Sequence, residues 1–269
     1  MTMSANDLWR NIICQLLTFG DEISPRGIAT KEFMFLSDEF DMNSPICYHQ
    51  NRRLNYSFSA AEAYFIAHGD NRVENLAQYN KNIAQFSDDG MIFNGSYGPP
   101  FNNQLMYVVN TLANDLYSRQ AVLTIWKENP VVSADIRCTI ALQFLVRNGR
   151  IHTKVTMRSS DVWLGIPYDL FNFTIMTLRV LTLLNAKLSD KIDEPIKLGH
   201  MHWSVGSSHI YVHDIEKAKL VLEAGPDKEI KPVPEKCFTN WPYVVSSLIA
   251  CRDKNLQDIK DNQLWEIRP

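Results

Sequence analysis

Residues 157–173 read Met-Arg-Ser-Ser-Asp-Val-Trp-Leu-Gly-Ile-Pro-Tyr-Asp-Leu-Phe-Asn-Phe, placing charge and turn signals inside an otherwise apolar region. Just upstream, Ile151 to Thr156 alternates apolar and polar side chains, the pattern of a strand with one face buried. Arg158, Ser159, Ser160 and Asp161 follow in succession, so that strand is expected to end in a cluster of donors suited to holding an anion. Gly165 and Pro167 punctuate a turn, and the mostly apolar run from Asp169 to Leu184 predicts a buried helix. Asp169 falls where that helix is expected to begin. It is then either an N-cap carboxylate accepting from free backbone N–H groups or an acid with a chemical task, and the local pattern does not separate the two.

A chain of 269 residues suffices for a large core, and one domain spanning 1–269 is expected. With 27 basic and 30 acidic residues and a net charge of -3, nothing points to polymeric nucleic acid or an anionic membrane surface as partner. No apolar run approaches the roughly 20 residues of a membrane span. The first ten residues, MTMSANDLWR, lack a charged region followed by an apolar one, so a cytoplasmic protein is expected, in the host cytoplasm if virus-encoded. Cys14, Cys47, Cys138, Cys237 and Cys251 are odd in number and widely spaced, which argues against zinc sites and a disulfide framework while allowing a reactive thiol.

Further out, Asn6 to Phe19 has helical apolar spacing and stops at Gly20. Ser59 to Asp70 reads as a helix with Ser59 as N-cap and Glu62 at the capping-box position, ended by Gly69. Gln104 to Leu116 predicts a helix, Ala121 to Trp126 a strand, and the segment beyond Asp214 a helix through Leu222. Taken alone, Cys138 beside a strand is most simply a small buried hydrophobe.

The run Arg158-Ser-x-Asp161-Val-x-Leu164-Gly165-Ile-Pro-Tyr-Asp169 resembles the nucleotide-binding segment of the thymidylate synthase family, Arg-Ser-x-Asp-Val-Phe-Leu-Gly-Leu-Pro-Phe-Asn. Where the synthases carry Asn facing uracil, this chain has Asp169, as the deoxycytidylate hydroxymethylase branch does. Trp203-Ser-Val-Gly-Ser-Ser-His209-Ile-Tyr211 likewise follows that branch's Trp-x-Val-Gly-Ser-x-His-x-Tyr. Glu62 with the following His-Gly-Asp-Asn, the turn Asn94-Gly-Ser-Tyr97-Gly98, Ser118-Arg119 before a strand, and Cys138 five residues ahead of Gln143 fall in the family's order. Departures are also present. The family's Pro-Cys-His becomes Arg137-Cys138-Thr139, its second arginine becomes Gln120, no tryptophan occurs between Val73 and Met91, and Asp253 to Pro269 does not resemble its folate-closing tail.

The resemblance implies an α+β fold, a large twisted mixed β-sheet flanked by helices with the sheet at a homodimer interface. It implies one-carbon transfer from 5,10-methylenetetrahydrofolate to C5 of dCMP, with no metal. Cys138 is then the thiolate that adds to C6 and makes C5 nucleophilic, its pKa lowered from about 8.5 by a guanidinium such as Arg158. Glu62 organises water and Tyr97 assists proton movement. Arg26, Arg158, Ser159 and Gln143 bind nucleotide, His209 and Tyr211 reach the sugar 3′-hydroxyl from one side of an extended segment, and Arg119 crosses to the partner subunit's phosphate site. Asp161, Leu164 and Gly165 fall on the folate side. Asp169 reads the base: cytosine donates at N4 and accepts at N3, the reverse of uracil, so a carboxylate takes the N4 hydrogen bond and a proton shared with N3 completes the pair. A mispaired buried group costs about 1–3 kcal/mol. Water attack on the resulting C5 methylene gives 5-hydroxymethyl-dCMP, and hydride gives 5-methyl-dCMP. A thymidylate synthase acting on dUMP and a non-catalytic binding homologue remain as alternatives.

Overall fold

The computed structural model describes residues 3–224 and 232–254. Its framework is a six-stranded sheet in the order β1-β2-β6-β5-β4-β3, comprising β1 Asp21–Ile23, β2 Thr30–Asp41, β3 Val122–Thr124, β4 Thr139–Arg147, β5 Arg150–Asp161 and β6 Lys197–Tyr211. The β5–β6 pair is parallel and the others are antiparallel, so the sheet is mixed and the fold α+β, as expected. β4 and β5 form a hairpin through Asn148 and Gly149, both at positive φ (52° and 69°), the two-residue turn whose twist matches flanking strands.

Helices are α1 Ala5–Phe19, α2 Tyr56–Ala67, α3 Val73–Ala77, α4 Gly98–Asn114, α5 Ile166–Leu188, α6 Ile215–Glu223 and α7 Trp241–Arg252. The core lies between the sheet and α1, α4 and α5. α5 is apolar nearly all round because α1, α2, α4 and α7 surround it as well as the sheet. It is pinned to β5 by a 2.9 Å hydrogen bond between the Thr153 and Thr177 hydroxyls and to β6 by Phe173 against Trp203, ring centres 5.8 Å apart. Trp9 of α1 donates its indole N–H to the Val162 carbonyl at 2.7 Å, fixing the entry to α5. No helix among the described residues is long and apolar enough to cross a membrane.

Three local expectations are corrected. Asp169 is not an N-cap: Gly165 holds that position, Pro167 occupies the first turn, and Asp169 lies inside α5. Ser59 is not the cap of α2. Asn55 is, accepting from the Phe58 N–H at 3.0 Å, which sets Ser59 inside the helix and leaves Glu62 with no capping partner. β5 runs on through Asp161, so the strand does end in Arg158 to Asp161, but as strand residues their successive side chains alternate between its two faces and do not form one cluster. Smaller shifts are that α4 starts earlier than predicted, at Gly98, and β3 is only Val122–Thr124. The tail from 255 onward, where the sequence parts from the family, lies outside the described residues.

Candidate active site

A cavity of about 180 Å3 opens where α2, α5, the turn before α4 and the segment before β4 meet. Its apolar wall is Phe65, Ile66, Leu76, Ile83, Phe86 and Phe93, and against that wall stand Glu62, Tyr97, Asp135, Asp169 and Asn172. Asp169 and Asn172 are three apart on α5 and so share one face of the helix.

Glu62 accepts a 2.7 Å hydrogen bond from the Asn172 amide. Burial raises its pKa to about 7, the Asn172 bond opposing. Asp169 is pushed well above the usual carboxylate range, first by burial and then by the negative charges of Glu62 and Asp161. It therefore holds a proton readily. Gly165 leaves the space Asp169 needs, since a Cβ there would stand 3.3 Å from Asp169 Oδ2 and 3.1 Å from the Asp161 carbonyl. Tyr97 stacks on Phe173 with ring centres 6.0 Å apart. Its phenol is held protonated by burial, and Asp169, Cys138 and Glu62 reinforce this.

Cys138 is part-buried immediately before β4, its carbonyl accepting the Arg158 N–H at 2.9 Å. Burial raises the thiol pKa, Asp169 and Asp135 raise it further, and Arg158 and Arg26 oppose them. The expected lowering by Arg158 is present but outweighed. The arginine's side chain is also committed elsewhere: Nε donates to the Arg137 carbonyl at 3.0 Å and Nη2 to that of Ile136 at 2.9 Å, with the guanidinium over the Trp126 ring. Thr139, in the place of the family's histidine, is fully buried, and its hydroxyl, which makes no close hydrogen bond, faces the Tyr97 phenol and pulls that group's pKa down against the burial.

The remaining predicted residues divide. Arg26 sits at φ 55° in the turn before β2, close enough for its charge to act on Cys138. Ser159 Oγ lies 3.4 Å from His209 Nδ1, and His209 meets Tyr211 edge-on with centres 5.7 Å apart, so both project from one side of β6 as expected. Arg119 is exposed, and its carbonyl accepts from Gln143 Nε2 at 3.0 Å. That bond holds Gln143 to the Arg119 backbone, and Gln143 does not line the cavity. Asp161 Oδ1 accepts the N–H groups of Trp163 and Leu164, both at 2.8 Å, shaping the turn into α5, while Leu164 is exposed. Within the anion cradle expected from Arg158 to Asp161, the Arg158 and Asp161 side chains are therefore held by backbone groups, Ser159 faces His209, and the buried Ser160 hydroxyl makes no hydrogen bond. Asn172, Asp135 and Thr139 are the site residues that the sequence reading missed. Only Asn172 had a signal, its helical spacing from Asp169.

The family model described as Thymidylate synthase matches residues 7–239. A deoxyuridylate hydroxymethyltransferase of Bacillus phage SP01 is 30% identical over 232 residues, covering 77% of this chain and 57% of the relative, so the chain spans little more than half the relative's length. With the matched span taking in every element from α1 through the segment before α7, the chain belongs to the thymidylate synthase family.

Proposed function

We propose that the protein transfers a one-carbon unit from 5,10-methylenetetrahydrofolate to C5 of dCMP and releases 5-hydroxymethyl-dCMP. One observation carries the reading: Asp169 and Glu62 line one cavity, and the charge of Asp169 is felt at the thiol of Cys138, which is part-buried beside that cavity and is not among its lining residues. The cavity suits the donor, because a wall of Phe65, Phe86 and Phe93 favours a flat heterocycle stacked over a base. Bound there, the folate supplies the one-carbon unit.

Cys138 adds to C6 of the base, which makes C5 an enamine carbon. Arg158 and Arg26 favour the thiolate, and a nucleotide phosphate near them would be held by the same charges. Asp169 accepts from the N4 amino group and shares its proton with N3, drawing electrons from C6. The raised pKa of Asp169 keeps that proton available, the carboxyl O–H donating to N3 while its other oxygen accepts from the N4 amino group. Glu62, with a pKa of about 7, is placed in charge state to orient water and exchange protons near neutrality. His209 and Tyr211 serve the sugar, and Arg119 crosses to the partner of a homodimer paired through the sheet.

The test is product mass after incubation with dCMP and methylenetetrahydrofolate. An added CH2O unit supports the proposal and an added CH2 supports methylation. Preferential turnover of dUMP, the substrate in the phage relative's name, overturns the base assignment. Cys138→Ser is expected to abolish tritium release from C5 of labelled dCMP, and persistent release removes Cys138 from the reaction.

A further inference from the structure

Asp135 is a carboxylate in the cavity to which no role has yet been given. It lies three residues before Cys138, on the segment leading into β4, and lines the cavity together with Gly95 and Ser96. Only one of its oxygens is engaged by the backbone of the cavity wall: Oδ2 accepts the Gly95 N–H at 2.7 Å. Oδ1 points where a side chain at position 95 would be, for a Cβ on Gly95 would stand 2.1 Å from it. The glycine therefore keeps open the space around that oxygen. Apart from Glu62, Asp169 and Asn172 on the helices and Ser96 and Tyr97 beside it, the lining is aromatic and aliphatic, so the free Asp135 oxygen is the point on the segment leading into β4 at which water can be held.

We propose that Asp135 anchors the water that attacks the C5 methylene and so directs the outcome toward the hydroxymethyl product. The inference rests on the hydroxymethylation reading above. Water oxygen bonds to the methylene carbon, its proton passes to the Asp135 carboxylate, and the methylene π electrons move into the ring at C5. Those electrons then re-form the C5–C6 double bond as the Cys138 sulfur leaves C6 as thiolate. Proximity supports the placement, since the Asp135 charge is felt at the Cys138 thiol that would be bonded to C6. Burial also raises the pKa of Asp135, with Asp88 adding and the Gly95 N–H and Arg137 opposing, which makes it a stronger base than a solvated aspartate. Glu62 is held by Asn172 on α5, so the two carboxylates reach the cavity from different elements.

Asp135→Asn provides the test, because its amide oxygen can still accept from the Gly95 N–H. C5 proton loss precedes water attack, so tritium release from dCMP and formation of 5-hydroxymethyl-dCMP are measured side by side. The variant is expected to form hydroxymethyl product per tritium released at least about a hundredfold less efficiently than the wild type, the lower end of the range for loss of a general base. Equilibrium binding of dCMP without folate is expected to stay within about twofold, a difference of about 0.4 kcal/mol. A parallel fall in release and product, or an unchanged ratio, overturns the role of Asp135. Should Asp135→Asn fail to fold, Asp135→Ser is scored by the same ratio. If the wild type itself yields no hydroxymethyl product from dCMP, the underlying reading fails instead.

Discussion

Arg158 and Cys138 are joined through the backbone, Arg158 N–H to Cys138 carbonyl at 2.9 Å, while the Arg158 guanidinium folds back on the two carbonyls preceding the cysteine. One residue thereby fixes the position of the thiol and supplies positive charge beside it. Arg158→Ala is expected to raise the thiol pKa and so slow alkylation of Cys138 by iodoacetamide at pH 7.5 several-fold, since the reactive thiolate fraction falls as the pKa rises. Arg158→Lys keeps the charge and loses the planar fork, so its rate should fall between the two. Equal rates in all three proteins would mean that the guanidinium does not tune the sulfur.

The raised pKa of Glu62 makes stability depend on pH. Below the ordinary value of 4.5 the carboxyl is protonated in both native and unfolded chains, and nothing is lost. As pH rises to about 7 the unfolded chain ionises first, so native stability declines, and it levels off above that. Glu62→Gln has no such step. Between pH 5 and pH 8, urea denaturation should show the wild type losing about 2–3 kcal/mol relative to the variant. A constant difference across that range would contradict the burial of this carboxyl.

Asp169→Asn exchanges the acid for an amide of the same shape. The kcat/KM for dCMP should fall more than that for dUMP, moving their ratio by at least about tenfold, as expected for one mispaired buried group. Steady-state kinetics with both nucleotides decides it, an unchanged ratio indicating that some other group reads the base edge.

Gly95→Ala drives a methyl group into the Asp135 carboxylate, 2.1 Å away in the present geometry. The loss should be about 1–3 kcal/mol in thermal or urea denaturation, as for other forced overpacking. Adding Asp135→Ala should recover part of it, giving a coupling energy between the two sites. Simple additivity would place the strain elsewhere.

Alternation in Ile151 to Thr156, the apolar run of α5 and the ordered motifs from Glu62 to Tyr211 were written in the chain itself, and they determined the α+β class, the family and three of the polar residues lining the cavity, Glu62, Tyr97 and Asp169. Such features are legible because a strand or helix imposes its period on any sequence that must bury one face. Local signals were less reliable where two caps competed. Ser59 carried the textually better box, but Asn55 takes the cap because the helix extends back to bury Phe58 at its start. Only tertiary structure decided which partner each polar group found: Arg158 on backbone carbonyls, Gln143 on Arg119, Asn172 on Glu62, and Asp135 across from Gly95. These contacts join residues from 24 to 110 positions apart in three of the four cases, and no periodicity spans such a gap. The charge states follow the same rule, for burial and neighbouring carboxylates set them, and both exist only once the chain has folded.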